Sequence, residues 1–243
     1  MPLTNLSFDP SACLIDGQWR AASKGGSLPL MNPSDGSKLC EIAKGTETDV
    51  DAAVKASRQA YEGDWGRTPA ATRGRILMRL GQLVLDHVDT LTRFEALDVG
   101  KPLKQARVDA IALARYMEFY GGAADKLHGE TIPYLDGYTV YTLREAHGVT
   151  GHIVPWNYPM QIIGRSVGAA LAMGNACVLK PAEEACLTAL AFADLALEAG
   201  LPKGALNVVP GLGIEAGAAL STHRGIDHLS FTGSVATGRL VQM

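Results

Sequence analysis

The sequence has no long apolar run and no excess of positive charge. A membrane helix requires roughly 18 apolar residues. The nearest run, 167–179, is interrupted by Asn175 and two glycines. The 22 Lys and Arg residues are outnumbered by 25 Asp and Glu residues, whereas a nucleic-acid-binding domain usually carries a basic stripe. We therefore expect neither a membrane nor a nucleic acid as a partner.

Cysteine and histidine are scarce, and neither is spaced like a ligand set. The four cysteines form no CxxC pair and the six histidines form no HExxH motif. We therefore predict no disulfide scaffold and no metal site. The amino terminus lacks the charged and apolar regions of a signal peptide and is not rich in arginine. These features favour a protein of the reducing cytoplasm.

The composition is typical of a packed protein with both helices and strands. Hydrophobic residues make up 47% and charged residues 19% of the chain, which excludes disorder. Only 6% of the residues are aromatic, but 27 of the 243 are glycine. This balance favours tight turns and close helix–sheet contacts over an aromatic-rich β-sandwich. The length suits one large domain or two small ones.

The first 137 residues divide into two patterns. Residues 1–45 are predicted to form short strands and turns, and Asp16-Gly17 is typical of a hairpin turn between 13–15 and 18–20. The segment 46–137 has mainly helical spacing.

Capping residues predict where the helices begin and end. Thr48 lies three residues before Asp51, which approximates a capping box, and Thr68 precedes Pro69 as an N-cap. The run Gly100-Lys101-Pro102 is predicted to separate two helices.

The alternation between Tyr138 and Glu145 predicts an exposed ribbon. Both faces of this segment mix polar and apolar residues, which suits an edge better than a central strand. Such an edge needs pairing or protection, and a partner subunit is one way to supply it.

From Gly148 onward, strands alternate with helices at regular intervals. The predicted strands are 149–154, 176–179, 206–209 and 227–231, and the predicted helices are 158–173, 186–199, 214–221 and a fourth that Ser234 opens. This alternation predicts a parallel, doubly wound α/β sheet. Ligands of such sheets bind at the carboxyl ends of the strands, so functional residues are expected directly after each strand.

The turn after the fourth strand suits an anion. Gly233 allows close backbone approach, and the helix that follows offers unpaired N–H groups to a pyrophosphate. The alternative is an ordinary turn with Ser234 as an N-cap. The spacing from Gly233 to Gly238 resembles a P-loop, but Arg239 stands where the phosphate-binding lysine is required, so ATP chemistry is excluded. A GxGxxG fingerprint is also missing.

Two other strand ends carry polar candidates. Glu183 can accept hydrogen bonds from a ribose diol and would repel a 2′-phosphate, which favours NAD over NADP, and Lys180 can donate to the same sugar. The alternative is a solvated charge pair. The Asn157 amide can donate to a developing oxyanion, whereas the alternative is an Asx-turn that leads into Pro159.

Five motifs together resemble the aldehyde dehydrogenase superfamily. They are IVPWNYP (153–159), ALAMGN (170–175), KPAE (180–183), LNVVPG (206–211) and FTGS (231–234). A weaker resemblance extends back to 16–19 and 31–34. It covers nearly the whole chain but only about the amino-terminal half of a family member.

The resemblance implies an α/β fold with a variant Rossmann-like parallel sheet, an amino-terminal helical region and a β-arm. This architecture is that of the family's NAD-binding domain, here in truncated form. The implied segments are amino-terminal strands and turns (1–45), the helical part of the domain (46–137), an oligomerisation arm (138–149) and an incomplete parallel nucleotide-binding core (150–243). A homo-oligomer, dimer or tetramer, is implied as well.

The resemblance also implies NAD as cofactor and a set of residues around it. Ile153, Val154, Pro155 and Trp156 would line the dinucleotide path, and Lys180, Ala182 and Glu183 would hold the adenine ribose. Adenosine would contact Gly213 and Gly217, and the pyrophosphate would lie at Phe231, Thr232, Gly233 and Ser234.

The activity that the resemblance implies is NAD-dependent oxidation of a small-molecule aldehyde to a carboxylic acid. In the family, a cysteine thiolate attacks the aldehyde, hydride leaves the thiohemiacetal, and a glutamate activates water. Asn157 would stabilise the oxyanion. The sequence stops before the family's glutamate motif and cysteine, and Arg165-Ser166 stands where many members carry a lysine. We therefore expect the chain to be inactive alone, and the alternative is a non-catalytic NAD-binding or oligomerisation fragment.

Overall fold

The computed structural model describes residues 7–243 and has an α/β architecture, as predicted. Its strands are β1 (Ala12–Ile15), β2 (Gln18–Ala21), β3 (Ser27–Met31), β4 (Lys38–Ala43), β5 (Thr131–Ile132), β6 (Val140–Tyr141), β7 (Val149–Ile153), β8 (Ala176–Lys180), β9 (Leu206–Val208) and β10 (His228–Phe231). Its α-helices are α1 (Glu47–Glu62), α2 (Asp64–Arg67), α3 (Ala70–Asp86), α4 (Val88–Val99), α5 (Leu103–Ala123), α6 (Pro159–Ala172), α7 (Leu187–Glu198), α8 (Ala218–Thr222) and α9 (Val235–Gln242). A five-residue π-helix, Gly213–Gly217, precedes α8.

The central sheet has six strands in the order β10-β7-β8-β9-β1-β2. The four strands predicted after Gly148 are all present and pair in parallel. Helices connect them because parallel neighbours need a crossover. Their carboxyl ends therefore lie along one edge of the sheet, where the ligand was expected.

The amino-terminal hairpin is confirmed, but it belongs to the central sheet and makes that sheet mixed rather than purely parallel. Asp16 and Gly17 both have positive φ, 53° and 70°, as a tight two-residue hairpin turn requires. Leu14 pairs antiparallel with Val208 of β9, and the Asp16 N–H donates to Oδ1 of Asn207 at 2.8 Å. The strand β1 is buried throughout because it lies between two neighbours.

Apolar residues on the two faces of the sheet pack against different helices. In β8, Cys177 and Leu179 belong to the cluster that includes α6 and α7, whereas Val178 belongs to the cluster that includes α1. A strand buried on both faces is a continuous apolar run, as this one is. No helix among residues 7–243 is long and apolar enough to cross a bilayer.

Two predicted helix starts are wrong by a few residues. The N-cap of α1 is Thr46, and its partner in the capping box is Asp49, whose Oδ2 accepts the Thr46 N–H at 2.8 Å. The predicted pair lies two residues later because the sequence offers the same Thr-x-x-Asp spacing twice. Helix α3 begins at Ala70 with Pro69 as the cap, while the Thr68 hydroxyl donates to the Asp64 carbonyl.

The predicted separation of two helices at 100–102 is found. Gly100 ends α4 in the left-handed region at φ 77°, and α5 begins at Leu103.

The predicted exposed ribbon is also present. Its strand β6 is short and mostly exposed, and it pairs with β5, which lies before the predicted start of the arm at Tyr138. Val149, the last residue of the predicted arm, is buried as the first residue of β7.

Candidate functional site

Three strand ends lie side by side at the carboxyl edge of the sheet. Phe231 of β10 is in register with Ile153 of β7, which is in register with Lys180 of β8. Beyond the strands, the Thr232 N–H donates to the Ile153 carbonyl at 3.2 Å, and the Val154 N–H donates to the Lys180 carbonyl at 3.1 Å. The structure therefore brings these predicted cofactor-binding segments together.

The carboxylate of Glu183 joins the end of β8 to the segment that follows β9. Oε2 of Glu183 lies 2.8 Å from Nζ of Lys180, and Oε1 accepts the Gly213 N–H at 3.2 Å. Burial opposes ionisation of Glu183, but the hydrogen bonds from Lys180 and Gly213 outweigh it and lower the pKa of the carboxyl. The group is therefore an ionised acceptor at neutral pH, suited to sugar hydroxyls.

The surroundings of this carboxylate leave space on one side. A Cβ atom at Gly213 would meet no atom within 4 Å, and one at Gly217 would meet only Cδ of Lys180, at 3.9 Å. Ala182, which directly precedes Glu183 in the sequence, is buried. The two glycines mark the ends of the π-helix, an element that is rare and concentrated at functional sites.

The turn from β10 to α9 presents a helix amino terminus to the same edge. The hydroxyl of Ser234 accepts the Thr237 N–H at 3.1 Å, so Ser234 is the N-cap, as the sequence predicted. A Cβ at Gly233 would lie 2.5 Å from Cζ of the Phe231 ring, so a side chain there would require that ring to move. The first N–H groups of a helix lack intrahelical acceptors and attract anions.

The turn from β7 to α6 carries the predicted oxyanion donor. Pro155 is half-buried, whereas Trp156 and Asn157 are exposed, with Trp156 at 56%. Helix α6 then begins with Tyr158 as the N-cap and Pro159 at the first helical position. Within residues 7–243, no hydrogen bond links Trp156 or Asn157 to Glu183. These two predicted residues thus share the edge with Glu183 but form no hydrogen bond with it.

Sequence reasoning missed an ion network beneath that turn. Lys101 bonds two fully buried carboxylates, Glu95 and Asp109, and its ammonium lies 4.4 Å from the centroid of the Tyr158 ring. The run at 100–102 was interpreted only as a helix break. Two acidic residues on separate helices carry no local signal that they share one cation.

The arrangement matches a known family. A model of the Aldehyde dehydrogenase family matches residues 19–243. The chain belongs to this family. The aldehyde dehydrogenase fold therefore accounts for the mixed sheet and for the three strand ends at one edge.

Similar aldehyde dehydrogenases are about twice as long. A Burkholderia cenocepacia protein assigned to the aldehyde dehydrogenases is 64% identical, with a TM-score of 0.94 over 95% of this chain and 49% of its own. The NAD⁺ complex of aldehyde dehydrogenase from Bacillus cereus is 40% identical, with a TM-score of 0.94 over 96% of this chain and 48% of its own. The hydroxyisobutyraldehyde dehydrogenase of Mycolicibacterium austroafricanum is 46% identical over 95% of this chain and 45% of its own length. The chain thus spans about half the length of these relatives.

The four thiols of this aldehyde dehydrogenase chain are poor nucleophiles. Cys13, Cys177 and Cys186 are buried and Cys40 is half-buried. Burial raises the pKa of Cys13 and Cys177 to about 12 and that of Cys40 to about 11, and it raises the pKa of Cys186 well above the ordinary value of a thiol. Because the thiolate is the reactive form, none of these thiols is activated at neutral pH.

Proposed function

We propose that this chain binds NAD across the carboxyl edge of its parallel strands, as the cofactor-binding part of an enzyme that oxidises an aldehyde to a carboxylic acid. The observation that carries the proposal is the carboxylate of Glu183, held between Lys180 and the Gly213 N–H beside open space. Family membership and the NAD⁺ complex of the Bacillus cereus relative support the same conclusion.

The residues at the edge fit the parts of a dinucleotide. An ionised Glu183 can accept hydrogen bonds from both hydroxyls of the adenine ribose. The open surface between Gly213 and Gly217 suits the adenosine, and the amino terminus of α9 at Ser234 suits the pyrophosphate. Ile153, Val154, Pro155, Trp156, Ala182, Phe231, Thr232 and Gly233 would complete the path. When bound, NAD supplies the hydride acceptor.

Asn157 has the chemistry of an oxyanion donor. Its amide is exposed at the carboxyl end of β7, where it can donate to the oxygen of a carbonyl under attack. The thiols of this chain are protonated and mostly buried, so we infer that the 243-residue chain alone does not turn over an aldehyde. A chain that binds NAD and oligomerises without catalysis is the second candidate function, and the state of the thiols favours it.

The arm and the residues directly before it support the proposal of a homo-oligomer. Tyr134, Leu135, Tyr138, Tyr141 and Leu143 are each more than 60% exposed. Apolar side chains clustered on an exposed ribbon commonly mark a contact with another subunit. We propose the segments 1–45, 46–137, 138–149 and 150–243 as units of the domain. The cytoplasmic location stays a prediction.

Calorimetric titration with NAD and NADP tests the proposal. The unmodified chain is expected to bind NAD more tightly than NADP. Glu183→Gln is expected to weaken NAD binding about tenfold, the effect of one lost charge-assisted hydrogen bond. It should also reduce the ratio of the NAD affinity to the NADP affinity. Glu184→Gln, at the exposed neighbouring position, is the matched control. If Glu183→Gln bound NAD with unchanged affinity and unchanged selectivity over NADP, Glu183 would not be the acceptor of the adenine ribose.

A further inference from the structure

A charged lysine is held under the turn that carries Asn157. The Lys101 side chain is only 10% exposed, and its Nζ lies 2.8 Å from Oε1 of Glu95 and 2.6 Å from Oδ2 of Asp109. Burial lowers the pKa of Lys101, but the bonds to the two carboxylates outweigh it and raise the pKa overall. The ammonium therefore keeps its charge, and its position is fixed from two sides.

The same ammonium lies against an aromatic ring. Its Nζ is 4.4 Å from the centroid of Tyr158, a distance at which a cation is attracted to the face of the ring. Tyr158 follows Asn157 directly and is the N-cap of α6, and its carbonyl accepts the Ile162 N–H at 3.0 Å. The ring therefore links the buried charge to the start of the helix.

A second bond joins the network to the first turn of α6. Nε2 of Gln161 donates to Oδ1 of Asp109 at 2.6 Å, and Nε2 of Gln105 donates to the same oxygen at 3.0 Å. Asp109 is thus bonded to its own helix, to Lys101 and to α6. The start of α6 is held at two points, a ring and an amide, and both connect to one buried carboxylate.

We propose that Lys101 is a positioning residue that holds the turn at Asn157 in place through the ring of Tyr158. This inference rests on the proposed role of Asn157 as the oxyanion donor. Asn157 is exposed, and Pro159 has no N–H to contribute, so the order of the turn depends on its neighbours. A donor held in position before the reaction stabilises developing charge without reorganisation.

The test measures the order of the Asn157 backbone in the 243-residue chain. Asparagine labelled with ¹⁵N gives few backbone signals, and relaxation yields an order parameter for each. Asn175 and Asn207 are buried and hydrogen-bonded in the core, so their signals report the fold in the same sample.

The variants test whether the ring, which links Lys101 to the turn, orders Asn157 beyond the effect of general packing. Lys101→Met would leave two buried carboxylates unpaired and can unfold the chain, so Tyr158→Leu removes the ring instead. Tyr158→Phe keeps the ring, and Lys101→Arg keeps the charge. We expect an order parameter of about 0.85 at Asn157 in the unmodified chain and in both conservative variants, and a value below about 0.6 in Tyr158→Leu.

Loss of order confined to Asn157 in Tyr158→Leu supports the proposal. Unchanged order at Asn157, or an equal loss at Asn175 and Asn207, overturns it. The same samples are titrated with NAD, which contacts Lys180 and Glu183 rather than Lys101 in the proposed function. Failure of the unmodified chain to bind NAD would contradict the proposed function. It would not change the outcome of the order-parameter test for Lys101 and Asn157.

Discussion

Nζ of Lys180 lies 2.8 Å from Oε2 of Glu183, and the two side chains differ sharply in exposure, 4% for the lysine and 28% for the glutamate. The buried lysine is therefore fixed at the end of β8, while the carboxylate faces outward. A ligand that approaches this edge of the sheet meets the carboxylate of Glu183, whose negative charge is balanced by the buried ammonium of Lys180.

Removal of the lysine should change the acidity of its partner. In Lys180→Met, Glu183 stays partly buried but loses its strongest bond, so we expect its pKa to rise above its value in the unmodified chain. Titration of ¹³C-labelled glutamate carboxyls by NMR measures this pKa. Lys104→Met, at an exposed position on α5, is the control and should leave Glu183 unchanged. An unmoved Glu183 midpoint in Lys180→Met would show that Lys180 does not determine its acidity.

The buried carboxyl of Glu95 should make stability depend on pH. Burial raises its pKa from 4.5 to about 7. The unfolded chain releases this proton near pH 4.5 and the folded chain near pH 7, so the free energy of unfolding falls as pH rises across this window. The contribution is at most about 3 kcal/mol.

Urea denaturation between pH 4.5 and 8 tests this dependence. Glu95→Gln cannot ionise, so it should lose less stability than the unmodified chain as pH rises to 7. Glu184→Gln, at an exposed position, should follow the unmodified curve. Parallel curves for Glu95→Gln and the unmodified chain would refute the prediction.

Gly148 should not tolerate a side chain. Its φ is 124°, and a Cβ there would come within 2.2 Å of Oδ2 of Asp227, the oxygen that accepts the Val149 N–H and pairs with Arg58. We expect Gly148→Ala to lower the free energy of unfolding by about 3 kcal/mol or more, since steric collision adds to backbone strain.

Gly36→Ala is the matched control for that loss. Gly36 also has positive φ, 72°, but a Cβ there meets no atom within 4 Å. Only the backbone cost of about 1 kcal/mol is expected. Equal losses in the two variants, measured by urea denaturation, would exclude the collision with Asp227.

The stability of two variants shows whether the N-cap of α1 is Thr46, as in the structure, or Thr48, as the sequence spacing predicted. Thr46→Ala removes the N-cap side chain and should cost about 1 kcal/mol. Thr48→Ala, at the exposed position that the spacing had favoured, should change stability by less than about 0.5 kcal/mol. A larger loss in Thr48→Ala than in Thr46→Ala would place the helix start where the sequence predicted it.

The parallel strands could be predicted because their signals are local. The run Cys177–Leu179 is apolar on both faces, Gly174 ends the preceding helix with φ 87°, and Lys180 follows directly, so strand, turn and site residue all lie within a short segment. Glu183 could be paired with Lys180 for the same reason, since the two are three residues apart.

The remaining features depend on contacts between distant segments. The pairing of Leu14 with Val208 places the hairpin in the central sheet, and the bond from the Gly213 N–H to Glu183 spans 30 residues. The link from Lys101 to Tyr158 likewise joins two helix connections. Neither hydrophobic periodicity nor a capping residue indicates which distant residues pair, because each of these residues is also common in ordinary turns or on the surface.

Hydrogen exchange of the 243-residue chain with and without NAD tests the central claim most directly. We predict that NAD slows amide exchange in the peptides that cover 153–158, 180–184, 211–217 and 231–236, and leaves the exposed ribbon at 131–141 unchanged. Exchange that NAD leaves unaltered in all four segments, or slows only elsewhere in the chain, would contradict the claim that the cofactor binds at the carboxyl edge of the parallel strands.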